Sequence, residues 1–188
     1  MHLFPKIEAF IDSLQEESIP ENRKILLAPL ITYIQNKMSK KEPVQLNFIC
    51  THNSRRSHLA QVWAQTMASW YSLPNIYCFS AGTEETAMYP MVAETLRETG
   101  FNVQTNSQKQ NPVYHIFFSE NVGPVIAFSK KLDSEFNPKN TFSAVMVCSQ
   151  ADESCPNILG ADNRIALDYE DPKLFDNTSE QREKYLER

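Results

Sequence analysis

Cys50-Thr51-His52-Asn53-Ser54-Arg55-Arg56-Ser57 joins two segments of opposite periodicity, and that junction constrains the chain more than any other feature. Upstream, Val44-Gln45-Leu46-Asn47-Phe48-Ile49 alternates and then turns wholly apolar, as a strand entering a core does. Downstream, Leu59, Ala60, Trp63, Ala64 and Met67 recur at helical spacing. The loop therefore leaves the carboxyl end of a strand and opens a helix. Unpaired backbone N–H groups converge at such a place, and the helix dipole favours negative charge. Thr51, His52, Asn53, Ser54, Arg55, Arg56 and Ser57 are accordingly expected to wrap a tetrahedral oxyanion, with the planar fork of Arg56 on two of its oxygens. The same field stabilises a thiolate, so Cys50 is expected to be nucleophilic at neutral pH. The bland alternative is an inert cysteine ending a core strand beside a solvated arginine, and the strand–loop–helix setting weighs against it.

The 188 residues suit one sizeable domain plus an appendage, and a 41% hydrophobic share supports a core. A net charge of −5 without a dense basic run argues against nucleic-acid binding. No stretch is long and apolar enough to span a bilayer, and Met1 to Glu8 lacks the charge-then-apolar order of a signal peptide. Four cysteines in a chain this large are not needed as structural staples. The expectation is a cytoplasmic protein with reduced thiols.

Residues 1–43 read as a helical extension. Leu3, Phe4, Ile7, Phe10, Ile11 and Leu14 mark one helix face. Ile25, Leu26, Leu30, Ile31, Ile34 and Met38 mark a second, which Pro29 is expected to kink or interrupt. The extension is expected to cover either the main domain or a partner subunit, making a homo-oligomer. From 44 to 188, strand and helix alternate. Asn75 to Ser80 is a strand closing at Ala81-Gly82, Pro90 to Leu96 a helix stopped by Gly100, Phe142 to Cys148 a strand, and Arg164 to Leu167 a short one. This order predicts an α/β fold, a small open, mostly parallel four-stranded sheet with helices on both faces. Ligands bind beyond the carboxyl ends of such strands, where Cys50 lies. Val113–Phe118 and Val125–Phe128 break the alternation and are read as a hairpin or extended excursion.

Cys148 ends a strand, and Cys155-Pro156 follows across a short polar linker, at the same end of the sheet as Cys50. A thiolate there is placed to attack an adduct on Cys50, and the second cysteine to close a disulfide with the first. The linker spacing suits a zinc knuckle poorly. Asp171-Pro172 follows the last strand and offers a carboxylic acid to a leaving oxygen, with Asp168 and Glu170 as rivals. Asp-Pro is also ordinary turn chemistry. His52 lies within the loop, where local packing is as good an explanation as anion contact, and Cys78 reads as a core residue.

In this order, these elements resemble the low-molecular-weight tyrosine phosphatase family, and more closely its thioredoxin-coupled arsenate reductase branch, over about residues 44–188. Cys50 to Ser57 is similar to that family's phosphate loop, with Asn53 at the usual asparagine. Ser57 to Ala64 is similar to the helix after it, and Ser80-Ala81-Gly82 to the end of the second strand. Cys148 with Cys155-Pro156 resembles the reductases' relay pair, which simple phosphatases do not need, and Asp171-Pro172 resembles the general-acid Asp-Pro. The resemblance implies that Cys50 attacks arsenate held by the loop amides and Arg56 while Asp171 protonates the departing oxygen. It implies that Cys148 then releases arsenite, that Cys155 takes over the disulfide, and that thioredoxin or another thiol donor reduces it. It implies no bound cofactor and no metal, and phosphate binding in the same cradle.

The chain departs from the family at His52, where glycine is usual, and at Arg55, where cysteine or a small residue is common. Gln61 stands where some reductases use a glutamate to help hold potassium, so that ion is not expected. Segment 113–142 is longer than usual, and the closing helix is expected to be short. Two other readings stay open. A phosphatase for phosphotyrosine or a small phosphoester, with the cysteine pair as a redox safety catch for Cys50, is favoured by a deep aromatic-walled cleft, with Tyr89 and Tyr169 as candidate walls. A non-catalytic oxyanion or redox sensor, its helical extension signalling to a partner, is favoured by an ordinary Cys50 titration or by an Arg56 that faces solvent.

Overall fold

The computed structural model describes residues 2–14, 19–105, 108–154 and 157–187. In chain order the elements are α1 (Pro5–Ser13), α2 (Glu21–Ser39), β1 (Val44–Cys50), α3 (Arg56–Trp70), β2 (Ile76–Gly82), α4 (Pro90–Thr99) and β3 (Asn102–Thr105). There follow β4 (Tyr114–Phe117), β5 (Val125–Ala127), β6 (Phe142–Met146), α5 (Ser149–Ser154), β7 (Ala161–Ala166), a 3-10 turn (Pro172–Phe175) and α6 (Gln181–Leu186). The central sheet runs β2-β1-β6-β7 with every pair parallel, so the α/β architecture is as expected. β1 and β6 are buried throughout or nearly so, which is why they read as apolar runs rather than alternating ones.

The excursion is an antiparallel ladder, β4 against β5, extended by β3 into a separate three-stranded sheet. β3 escapes sequence reading because only Val103 of its four residues is buried. β7 begins before the expected Arg164 for a similar reason: Ile165 is its one fully buried position. Gly100 ends α4 at φ 110°, a left-handed conformation that suits glycine. A Cβ there would also stand 2.7 Å from Lys6 Cβ, so the same glycine admits α1.

Both N-terminal helices lie on the α/β core. Leu3, with Ile7 and Ile11 of α1, is buried in one cluster with Val62, Val92, Leu96 and Ile116, and Phe4 N–H binds Phe118 O at 2.9 Å. α2 is continuous, so Pro29 does not interrupt it. Pro29 is solvent-exposed, where the carbonyl it cannot serve is left to water. The inward face is the expected one only in part: Leu30, Ile34 and Met38 pack inward as expected, and Ile25, Leu26 and Ile31 do not. Tyr33 is buried with Leu27, Leu30, Ile34 and Met38 packed beside it, while Ile25, Leu26 and Ile31 are exposed at 66%, 44% and 50%. None of the helices among the described residues is long and apolar enough to cross a membrane.

Candidate active site

β1 delivers Cys50, buried, to the carboxyl edge of the sheet, and α3 begins at Arg56. Between them the loop is held from outside by its carbonyls. Thr83 N–H reaches Cys50 O at 3.2 Å, Glu84 N–H reaches Thr51 O at 2.8 Å, and Tyr89 N–H reaches Ser54 O at 2.9 Å. The hydroxyls of Thr86 and Ser129 reach His52 O at 3.0 and 2.8 Å. A trans peptide points its N–H opposite to its C=O, so outward carbonyls turn the following amides toward the loop's centre. That is the cradle an oxyanion requires.

Asn53 makes the tight turn possible. It is fully buried at φ 45°, a left-handed conformation asparagine tolerates well. Its Nδ2 donates to Ser57 Oγ at 2.8 Å and its Oδ1 accepts from Lys130 N–H at 2.9 Å. Ser57 Oγ lies 3.2 Å from Cys50 Sγ, within range to donate to a thiolate. Gly82 closes the rear of the loop: a Cβ there would meet Asn53 N and Thr51 O at 2.8 Å. This explains the glycine of Ser80-Ala81-Gly82.

A cavity of about 370 Å³ opens above the loop. Cys50, Thr51, His52, Ser54, Arg55 and Arg56 line one side, and Gln150, Asp171, Lys173 and Leu174 the other. Arg56 Nη2 donates to Asp171 Oδ2 at 2.6 Å and Nη1 to Tyr169 O at 2.9 Å. Its side chain is only 13% exposed, so it does not face solvent as a sensor's would. Of the three carboxylates considered, Asp171 lines the cavity and Asp168 and Glu170 do not. His52 lies at the rim, 3.4 Å from Glu84. Among the described residues no aromatic side chain lines the cavity. Tyr89 instead lies beneath the Arg55 guanidinium and Tyr169 beneath that of Arg23.

Cys148 lies two residues beyond the end of β6, which stops at Met146 and not at Cys148 as expected. β6 is the strand beside β1, with Met146 in register with Ile49. Cys148 is buried, its Sγ 3.6 Å from Thr51 Oγ1 and accepting from Ala151 N–H at 3.4 Å. Cys155 and Pro156 lie outside the described residues. Cys78 is buried in β2, where burial pushes its thiol up to about 12, in keeping with a core role.

Several contributors carry no local sequence signal. Ser129, Thr86 and Lys130 hold the loop from segments far along the chain, and Arg55 turns to Asp176 and Tyr185 instead of the anion cradle. Nothing in the sequence marks Asp176 or Tyr185 as partners. Among the described residues no cluster of three or more His, Cys, Asp or Glu could hold a metal ion.

Residues 45–131 match the family described as low molecular weight phosphotyrosine protein phosphatase. An arsenate reductase of Staphylococcus aureus (strain Newman) is 29% identical over 123 residues, 64% of this chain and 70% of that protein. An arsenate reductase of Bacillus licheniformis is 26% identical over 153 residues, 80% of this chain and 88% of that protein. Among solved structures, a low molecular weight phosphotyrosine phosphatase of Vibrio cholerae superposes with a TM-score of 0.52 at 14% identity, covering 77% of this chain and 86% of the other. A low molecular weight protein tyrosine phosphatase of T. tengcongensis gives 0.51 at 18% identity, covering 77% and 91%. The fold is thus the low molecular weight phosphatase fold. Both of these curated relatives carry the name arsenate reductase.

Proposed function

We propose that this protein is an arsenate reductase, with the α/β domain of residues 44–188 carrying the chemistry and residues 1–43 an extension packed upon it. The observation that carries this reading is Cys148, buried just beyond the end of the strand next to that of Cys50, one hydroxyl away from the anion loop. A simple phosphoester hydrolase has no use for that thiol. The names of the relatives point the same way.

In this reading, arsenate is held by the inward amides of residues 51–56 and by Arg56, which yields bonds to Asp171 and Tyr169 as the anion enters. The Cys50 thiolate attacks arsenic(V), and Asp171 gives its proton to the departing oxygen, which leaves as water. Cys148, as thiolate, then attacks Cys50 Sγ. The sulfur–sulfur bond forms, the sulfur–arsenic bond breaks, and its electron pair reduces arsenic(V) to arsenite. Cys155 attacks Cys148, frees the Cys50 thiolate and leaves a Cys148–Cys155 disulfide for thioredoxin or a similar dithiol.

The phosphotyrosine reading loses its expected support, because neither Tyr89 nor Tyr169 walls the cavity. The deciding assay is arsenate-dependent NADPH oxidation with thioredoxin and thioredoxin reductase, for wild type and Cys148→Ser. Sustained turnover that disappears in the variant is expected. Absent turnover, with phosphoester hydrolysis that survives the substitution, would make the protein a phosphatase.

A further inference from the structure

Arg55 and Arg56 are consecutive, yet their guanidinium groups serve different carboxylates. Arg56 reaches Asp171 at 2.6 Å, and Arg55 Nη2 reaches Asp176 at 2.5 Å. Those two acids bracket one element: Asp171 is the N-cap and Asp176 the C-cap of the 3-10 turn Pro172–Phe175. One dipeptide of the anion loop therefore grips both ends of the turn that presents Asp171.

The Arg55 end is the more enclosed. Arg55 and Asp176 side chains are each 13% exposed, against 33% for Asp171. Arg55 Nε donates to Tyr185 Oη at 2.7 Å, and Tyr185 Oη donates to the other Asp176 oxygen at 2.7 Å, closing a three-membered ring of hydrogen bonds. Tyr185 comes from α6 and is 1% exposed; burial and then the bond to Asp176 push its pKa upward, so it remains a donor. The Arg55 guanidinium also lies 4.0 Å above the Tyr89 ring, and Tyr89 N–H holds Ser54 O.

We propose that Arg55 is a positioning residue for Asp171, a latch that seats the 3-10 turn over the anion loop through Asp176 and Tyr185. This rests on the enzyme reading given above. Arg56 alone cannot keep the turn in place, because its fork is needed by the incoming oxyanion. The Arg55 bonds persist when Arg56 turns to substrate, so the proton donor stays in register during the step that uses it. Lysine cannot replace the latch, since one ammonium lacks the planar fork that serves Tyr185 and Asp176 together.

The test uses full-length wild type, Arg55→Lys and Tyr185→Phe, the last removing a single oxygen should Arg55→Lys not fold. Hydrogen exchange is followed in residues 172–187. Turnover is measured with arsenate, phenyl phosphate and p-nitrophenyl phosphate, and inhibition with inorganic phosphate. Exchange in 172–187 should quicken at least about tenfold, and kcat for arsenate and phenyl phosphate should fall about 10- to 100-fold. p-Nitrophenyl phosphate should lose less, because its leaving group needs less protonation. The phosphate inhibition constant should stay within about threefold, since the cradle is intact. Unchanged exchange, or an equal loss on both esters with weakened phosphate binding, would overturn the proposal and make Arg55 a support of the loop alone. A wild type inert toward arsenate and both esters would instead sink the enzyme reading, and the catalytic half of this proposal with it.

Discussion

The two sides of the anion loop treat charge in opposite ways. In front, Arg56, Asp171, Arg55 and Asp176 are paired within hydrogen-bond distance, and Cys50 has Ser57 Oγ beside it. Behind, between α3 and β2, lie His58, Gln61 and Lys130, all nearly or fully buried. His58 Nδ1 lies 3.2 Å from Ser80 Oγ, but among the described residues His58 Nε2 and Gln61 Oε1 have no hydrogen-bond partner, and Lys130 Nζ has the longer contacts of 3.3 Å to Ser80 Oγ and 3.4 Å to Phe128 O, with the Phe128 ring at 4.8 Å. The consequence appears in their acidities. Burial, then the charge of Lys130, lowers His58 to about 3, and burial lowers Lys130 to about 8. Asn53 belongs to both regions, through Ser57 in front and the Lys130 N–H behind. The front pairs its charges around an open cavity, whereas the rear tolerates charge poorly. Substitutions in front should therefore alter chemistry, and those behind should alter stability and its pH dependence.

The largest effect belongs to the front. Cys50→Ser should abolish both arsenate reduction and phosphoester cleavage, because a serine hydroxyl is not ionised by the field that stabilises a thiolate. Turnover of either substrate above the uncatalysed rate in that variant would remove Cys50 as nucleophile. Asp171→Asn comes next, slowing phosphoester cleavage by on the order of a hundredfold, with Glu170→Gln as the neighbouring control. If the glutamate variant suffers the loss instead, the proton donor is misassigned.

These front residues were also the legible ones. The Cys50–Ser57 loop and its flanking periodicities lie within one short stretch, and local patterns are what sequence reading detects. Gly82 and Gly100 were visible for the same reason. What escaped was long-range or weakly patterned. Arg55 meets its partners 121 and 130 residues away, and Ser129 reaches the loop across 77. On α2 the exposed Ile25, Leu26 and Ile31 adjoin the inward Leu30, Ile34 and Met38, so the apolar stripe read from the sequence is wider than the face that packs. Short strands with one buried side chain, such as β3, carry no alternation to read.

Behind the loop, His58 should govern acid sensitivity. Its folded form is neutral down to about pH 3, whereas in the unfolded chain it takes up a proton below its ordinary value of 6.5. Stability from this group is complete above 6.5 and is lost as pH falls toward 3, reaching a loss of about 2–3 kcal/mol near pH 4.5. Urea denaturation at pH 7 and 4.5 should show a steeper fall for wild type than for His58→Gln, which cannot titrate. Parallel falls would mean that His58 is protonated or hydrated in the fold.

The smallest effect separates front from rear most cleanly. Lys130 is charged in both states below about pH 8, so its burial weakens the fold throughout neutral pH. Above 8 the folded state releases the proton first, while the unfolded chain holds it to 10.5, so this group adds stability as pH rises through that window. Cys78 acts in the other direction from its ordinary value of 9.0 upward, since burial keeps it protonated in the fold. The difference between wild type and Lys130→Met therefore isolates the lysine. The variant should be more stable at pH 7 by about 1–2 kcal/mol, because the uncompensated charge is gone while the contacts to Ser80 and Phe128 are lost. That advantage should narrow between pH 8 and 10. A variant less stable than wild type at pH 7 would show that the ammonium is satisfied where it lies, and the contrast between the two sides of the loop would fall.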